Sequence, residues 1–477
     1  MLSLTDPAEA PSVLLETLAT ALTAGIDAAA DRAGRSGPVI LAVSGGPDSM
    51  ALLLAAVEVR RRSPGGQTDF VVVTVDHGLR LAAAAEARAV AEVAEGRGLP
   101  HRTMRLAALL SGNVPAAARR GRYALLLEAA RDAGASIIVT AHHEGDQFET
   151  HLLARARRAG PVGLAAMRKM RDLAPRVVLL RPFLEVPGVD LKALVAASGI
   201  EAVDDPTNKD ERYERVRLRN RLSGSPSDHP RLRLAIARSR GERDALERAQ
   251  AVFIGAAERA GELRFGDDGV LRVARAAFRR LDADTAFAFL VRALAAVSGG
   301  DYGPGAAQVL RLRAALAGPE GSVHATLGGV IVEADPDTIL FLREFGRAGI
   351  EAVLPGDPDA MFDGRFLVGS PRQQNPKATR IAAFGAFGRG NRVEKTLPVL
   401  VGEAGLLAVP DALAHKAPAD CLRLETTCLL AWRLLRDLPR RFSPAAPAVK
   451  GVASRFAAKA PGRVGKAGDT SYLRKNV

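Results

Sequence analysis

The stretch Val39-Ile40-Leu41-Ala42-Val43-Ser44-Gly45-Gly46-Pro47-Asp48-Ser49-Met50-Ala51-Leu52-Leu53-Leu54 decides the reading of the chain. Val39–Val43 is an apolar run of strand length, it stops at a Ser-Gly-Gly turn, and apolar helix formers follow. Adjacent glycines let the backbone approach an anion closely. The N–H groups of the turn and of the first helical turn then converge on one spot, where the helix dipole adds positive potential. Ser44 and Ser49 can donate hydroxyls to phosphate oxygens, and Asp48 stands where a carboxylate can hold the Mg²⁺ that accompanies a nucleotide. Ser44, Gly45, Gly46, Pro47, Asp48 and Ser49 therefore read as a nucleotide phosphate cradle. It is not a Walker A loop, because the Gly-Lys-Ser/Thr ending is missing. A Ser-Gly-Gly-Pro turn alone would be only loop punctuation. Six residues in this order between a strand and a helix carry the reading.

Outward from this stretch, short apolar runs alternate with helical patterns. Strands are expected at Val39–Val43, Phe70–Val75 and Ile137–Thr140, and helices at Asp48–Arg61, Ala83–Glu95, Ala116–Ala133 and Asp146–Arg157. That alternation predicts an α/β fold with a doubly wound parallel sheet, whose ligands sit at the carboxyl ends of the strands. Three polar motifs fall there: Ser44–Ser49, Asp76-His77-Gly78-Leu79-Arg80 and Ala141-His142-His143. Residues 1–36 read as a helical lead-in and 37–215 as the nucleotide-binding domain. Residues 216–318 read as a helical domain, with 245–318 helical throughout. Residues 319–445 read as a smaller α+β domain, with strands at Val323–Leu327, Val330–Glu333 and Thr338–Leu342. The small, basic stretch 446–477 reads as a disordered tail.

The 477 residues carry a net charge of +13, and 4% of them are aromatic. Such an excess of positive charge favours a polyanionic partner, against the blander alternative of a compositional arginine bias. No run of about 18 apolar residues is evident, so no membrane span is expected. The N-terminus lacks the pattern of a secretory signal, so the cytosol is the default compartment. Cys421 and Cys428 are too few for a disulfide framework or a four-cysteine zinc site.

Further motifs follow. In Ala141–Thr150, two histidines and three carboxylates (Glu144, Asp146, Glu149) follow a strand. The spacing matches no standard zinc site, and carboxylates with phosphates suit Mg²⁺ better. Asp146 and Glu149 can equally cap a helix start, and both roles are compatible. Ala118–Tyr123 contains Arg119, Arg120 and Arg122, of which some are only solvated and one or two can bind ATP or tRNA phosphates in a guanidinium fork. Arg215, Arg217, Arg219 and Arg221 alternate along Tyr213–Arg221. A helix would spread them around its surface, either as a solvated face or as an RNA-contacting one.

The Ser44–Ser49 loop resembles the Ser-Gly-Gly-x-Asp-Ser pyrophosphate loop of the ATP pyrophosphatases, and the motifs together resemble the tRNA(Ile)-lysidine synthetase family. Val75–Arg80, Gly112-Asn113, Ala118–Tyr123 and Ala141–Thr150 match that family's pattern. So do Gly160–Leu164 with Met167, Arg181-Pro182, and Asp205–Asn208 with Tyr213 and Arg215. The match is specific over the first 220 residues or so and thinner to about 445.

The resemblance implies an adenine nucleotide alpha hydrolase-like (PP-loop ATPase) fold and an ATP-dependent ligase. ATP adenylates the C2 oxygen of the wobble cytidine of tRNA(Ile), releasing pyrophosphate. The ε-amine of free L-lysine then displaces AMP, and codon reading changes from AUG to AUA. The resemblance makes Asp48, Asp146, Glu149 and Arg119 the expected catalytic residues. ATP is expected at Ser44–Ser49, Asp76 and His77, with Mg²⁺ on Asp48. Lysine is expected at Glu144 and Asp146, and tRNA at Arg122, Arg215 and Arg219. Homodimers are common in that family.

Two departures stand out. Gly145 occupies the place of the first of two adjacent acids, so Glu144 is expected to substitute for it. Val186-Pro187-Gly188 stands where an arginine is usual. A tRNA thiolase is disfavoured because no cysteine precedes Cys421. A non-catalytic RNA-binding protein is the remaining alternative, with Gly145 its only support.

Overall fold

β1 (Val39–Ala42) is wholly apolar and buries Val39, Ile40 and Leu41. It lies between β2 (Phe70–Asp76) and β4 (Ile137–Thr140), parallel to both, with Leu41 level with Val72 and Val139. This computed structural model describes residues 10–63, 68–76, 83–106, 114–203, 211–212, 214–318, 321–356 and 359–439, all within one compact unit. His77–Arg80, Gly112-Asn113, Asp204–Asn208, Tyr213 and the basic tail lie outside the described residues.

The first part of the chain runs α1 (Ala10–Ala33), β1, α2 (Pro47–Arg62), β2, α3 (Ala83–Glu95), β3 (His101–Arg105), α4 (Val114–Asp132) and β4. It continues through α5 (Glu144–Ala156), α6 (Pro161–Leu164), β5 (Met170–Ala174), β6 (Val177–Leu180) and α7 (Gly188–Ala197). The strands order as β3-β2-β1-β4-β6-β5, and only the β5/β6 pair is antiparallel. From β1 the chain builds outward through β2 and β3, then returns to place β4 on β1's other side. The carboxyl ends of β1 and β4 therefore flank a crevice at the switch point of the winding. Val39 and Leu41 face a core shared with α1, α2, α3 and α7, while Ile40 faces Leu126 and Ala130 of α4.

β3, β5 and β6 were not expected from the sequence. β3 (His-Arg-Thr-Met-Arg) buries only Met104, so as a charged edge strand it shows no apolar run. Pro11–Ala33 of α1 is long and apolar enough to cross a membrane by length and composition, contrary to expectation. Leu18, Leu22, Ile26, Ala29 and Ala33 recur at helical spacing on this helix and are buried in the sheet's core.

The chain continues with α8 (Glu214–Ser223), α9 (His229–Arg259), β7 (Leu263–Phe265), β8 (Leu271–Ala274) and α10 (Arg275–Arg279). Then come α11 (Ala283–Ser298), α12 (Ala306–Ala317), β9 (Val323–Leu327), β10 (Val330–Ala334) and β11 (Thr338–Arg343). The expected helical run 245–318 is thus broken by the β7–β8 hairpin, and strands on both sides of residue 318 share one sheet, β7-β8-β11-β10-β9. Leu-Arg-Phe and Leu-Arg-Val are too short to signal strands locally, and pairing of β8 with β11 holds them extended. Two smaller sheets follow, containing β12 (Asp359–Phe362), β13 (Phe366–Gly369), β14 (Arg380–Ala383), β15 (Pro398–Gly402), β16 (Gly405–Val409), β17 (Leu422–Arg423) and β18 (Thr426–Cys428).

Glu247 of α9 joins these parts. It is 3% exposed and pairs with Arg168 ahead of β5, while Arg292 of α11 lies 3.9 Å away. Burial pushes the Arg292 pKa down to about 10. Glu247→Ala would leave buried guanidinium charge uncompensated, so it should cost roughly 3 kcal/mol or more. Chemical denaturation should read that loss, and an unchanged midpoint would show the pair to be dispensable.

Candidate active site

The turn after β1 is built by glycine. Gly45 has φ +88°, and a Cβ there would lie 2.9 Å from Val203 Cγ2, while its carbonyl accepts from the Val203 N–H at 2.9 Å. Pro47 then starts α2 with a φ already suited to a helix. The Ser49 hydroxyl donates to the Gly46 carbonyl at 2.9 Å, and Ser49 Oγ accepts from the Ser44 N–H at 3.1 Å. The serines therefore lie together at the start of α2, beside Asp48.

α5 starts at Glu144 because His143 caps it. The His143 N–H donates to Asp146 Oδ2, and His143 Nδ1 accepts from the Gly145 N–H, each at 3.0 Å. With Nδ1 an acceptor, the ring's proton sits on Nε2. Nε2 lies 3.6 Å from Asp48 Oδ2 and 3.9 Å from Asp146 Oδ2. The phosphate turn and α5 thus meet at His143.

Two glycines leave room for the ring. A Cβ on Gly145 would lie 2.8 Å from His143 Cε1, and a Cβ on Gly188 would lie 2.8 Å from the same atom. Neither glycine has a positive φ, so what each supplies is room. The two departures noted in the sequence are therefore two walls of one slot.

Burial disfavours charge on Asp48 and raises its pKa despite the nearby His143. Asp48 Oδ1 is buried and accepts no hydrogen bond. Burial opposes ionisation of Asp146 too, but its interactions with His143 and Arg219 outweigh it and hold its pKa below the usual value. Burial raises the Glu149 pKa, even though Arg219 Nε donates to its carboxylate at 2.9 Å. Burial and the Arg181 charge push the His142 pKa down to about 3, so its imidazole is neutral.

Of the alternating arginines, Arg219 turns in to Glu149 and to Asp146 (4.0 Å), placing an expected tRNA contact among the acids. Arg215 and Arg221 are exposed, and Arg217 donates to the Glu211 carbonyl at 2.7 Å. Glu144 is held bidentately by Arg233 of α9 at 2.5 and 2.9 Å. Its charge is thereby paired with α9 in this structure. Arg119 stacks over Tyr123 with 5.5 Å to the ring centroid, Arg122 is exposed on the same helix, and Asp76 is buried at the end of β2. Expected ATP residue His77 lies outside the described residues. Sequence reasoning assigned no role to Arg233, Gly188 or Arg181. For Arg181, the matched Arg-Pro pair was the available signal.

A cavity of about 1680 Å³ extends from here between the sheet domain and α8, α9 and α11. Arg119, Arg168, Arg171, Arg181, Arg215 and Arg219 contribute to its lining. Among the described residues no group of three or more His, Cys, Asp or Glu can hold a metal by protein ligands alone.

A glycine turn at the switch point of a doubly wound sheet, with acids facing it across the crevice, defines an ATP-binding PP-loop enzyme, and residues 19–225 match the PP-loop domain family. The chain is 41% identical to the tRNA(Ile)-lysidine synthase of Bradyrhizobium diazoefficiens over 278 residues, covering 56% of this chain and 74% of that protein. It is 35% identical to the tRNA(Ile)-lysidine synthase of Ruegeria pomeroyi over 351 residues, covering 72% and 80%. It is 40% identical to that of Bradyrhizobium sp. (strain BTAi1) over 331 residues, covering 64% and 89%. The chain belongs to the tRNA(Ile)-lysidine synthase family and is an enzyme of that type.

Proposed function

We propose that this protein joins free L-lysine to C2 of the wobble cytidine of tRNA(Ile) through an adenylated intermediate, using one ATP. The observation that carries the reading is the meeting, at His143, of the Ser44–Ser49 turn with the Asp146, Glu149 and Arg219 cluster. The N–H groups and hydroxyls of the turn bind the β- and γ-phosphates, which leave as pyrophosphate when the cytidine O2 attacks the α-phosphate. Asp146 and Glu149 receive the lysine ammonium. The amine must lose its proton before it attacks C2 and AMP departs, and a carboxylate of raised pKa suits that proton. Glu149 suits it better than Asp146, since burial raises the Glu149 pKa while that of Asp146 is held below its usual value.

Asp48 fits Mg²⁺. Its buried Oδ1 lacks a hydrogen-bond donor, and Mg²⁺ is commonly held by one or two carboxylates together with phosphates. When bound, Mg²⁺ would neutralise phosphate charge. Exposed arginines such as Arg215, with the arginine-lined cavity, suit the tRNA backbone.

The test is incubation with ATP, Mg²⁺, labelled lysine and an isoleucine tRNA transcript bearing cytidine at the wobble position. One lysine per tRNA, with one AMP and one pyrophosphate, is expected. tRNA binding with no lysine incorporation would favour the non-catalytic RNA-binding alternative.

Arg219 gives a pH prediction. Its charge lowers the Glu149 pKa against burial, so Arg219→Ala moves that pKa further up. Activity that needs ionised Glu149 is lost as pH falls through this pKa. The acid limb of the kcat/KM profile should therefore shift to higher pH in the variant, with the plateau reduced about tenfold. An unshifted limb would remove Glu149 from the titrating step.

A further inference from the structure

The chain holds few aromatics, yet Tyr302 is 90% exposed. It sits on the loop between α11 and α12 and lines the same cavity as Arg119 and Arg219. The loop is held from several sides. Buried Arg433 donates to the carbonyls of Ala295 at 3.3 Å and Ala296 at 3.2 Å, and also to that of Gly300. Asp301 pairs with Arg436 at 3.2 Å and with Arg171 of β5 at 3.5 Å. Gly299 has φ +76°, and a Cβ there would meet the Asp363 carbonyl oxygen, so the entry to the loop admits only glycine.

A large ring held in water by a pinned loop contributes little to the core. Its geometry suits a planar partner that arrives from solution, and little ordering entropy remains to be lost on contact. Arg119, Arg215 and Arg219 line the same cavity with charge that suits phosphates. The cavity also exceeds the roughly 300–1,000 Å³ of a small-molecule site, so it suits a larger ligand.

We propose that Tyr302 is a stacking platform for an unpaired anticodon-loop base neighbouring the reacting cytidine. Single-stranded RNA is commonly read by splayed bases stacked on aromatic side chains. The inference rests on the tRNA-modifying reading given above.

The experiment compares the wild-type protein with Tyr302→Ala and Tyr302→Phe, using the isoleucine tRNA transcript as probe. Tyr302→Ala should raise both the tRNA Kd and the tRNA KM roughly tenfold, within the range of a lost base stack. Tyr302→Phe, which keeps the ring, should stay within about twofold. The KM for ATP, kcat at saturating tRNA and the thermal midpoint should not move. A Tyr302→Ala protein that binds tRNA like the wild type overturns the platform, and so does a Tyr302→Phe protein as weak as the alanine variant. A wild-type protein that neither binds nor modifies this tRNA would overturn the underlying reading and the platform with it.

Discussion

Asp48→Asn should lower lysine incorporation by about 10²–10³-fold, the scale of losing a preorganised charge contact in a water-poor site. Two features meet at this carboxylate: it stands in the Ser44–Ser49 turn, and His143 Nε2–H lies 3.6 Å from its Oδ2, while no protein donor reaches its Oδ1. Asparagine keeps the shape but loses the charge that pairs with a cation on the phosphates. Stability should move the other way. Burial raises the Asp48 pKa, so the folded state disfavours the ionised form relative to the unfolded chain. That penalty is present at neutral pH and vanishes below the unfolded-state pKa of about 3.9. The neutral amide should therefore leave the thermal midpoint unchanged or higher near pH 7. If the variant keeps more than about a tenth of the wild-type rate, Asp48 does not hold the role given to it.

Gly145→Asp should also damage the enzyme, although it writes back the acid that the resembled pattern carries at this place. The added Cβ would lie 2.8 Å from His143 Cε1 and 3.2 Å from Nδ1. Gly188 lies close to the same ring, since a Cβ there would also come within 2.8 Å of Cε1, so the space around the ring is already narrow. Displacing the ring breaks the cap on α5 and moves Nε2 off Asp48. It also adds a carboxylate beside Asp48 and Asp146. We expect a fall in kcat of tenfold to a hundredfold, with overpacking costing about 1–3 kcal/mol of stability. Gly145→Ala separates crowding from charge and should account for much of the loss. In a His143→Ala background the same alanine should add nothing, since the atoms it crowds are gone. Faster lysine transfer by Gly145→Asp would mean that the missing acid, and not the slot, governs this position.

Elements were legible where burial and turn chemistry are local. β4 spans Ile137–Thr140 as expected, α3 matches Ala83–Glu95, and β9 matches Val323–Leu327. Elements that depend on distant pairing were not legible. β3 hides as a charged edge strand, and β7 and β8 stay extended only because β11, far along the chain, pairs with β8. α5 begins two residues earlier than periodicity suggested, because a histidine side chain and an aspartate close its first turn. Histidine is not among the strongly preferred capping residues, so its capping was invisible in advance.

The acids show the same division. The sequence identified Glu144, Asp146 and Glu149 as a group, but could not say which would be free for substrate. Arg233 lies 89 residues from Glu144, and Arg219 lies 70 residues from Glu149. Only folding of α8 and α9 against α5 decides that Glu144 is committed to one arginine while Glu149 and Asp146 share another. By itself the sequence determined the phosphate turn, the parallel order of its flanking elements and the class of chemistry, because glycine freedom, strand burial and helix polarity act over a few neighbouring residues. The tertiary structure alone decided which charges pair, which glycines make room for His143 and where the cavity opens, because those contacts join side chains whose separation along the chain carries no local signal.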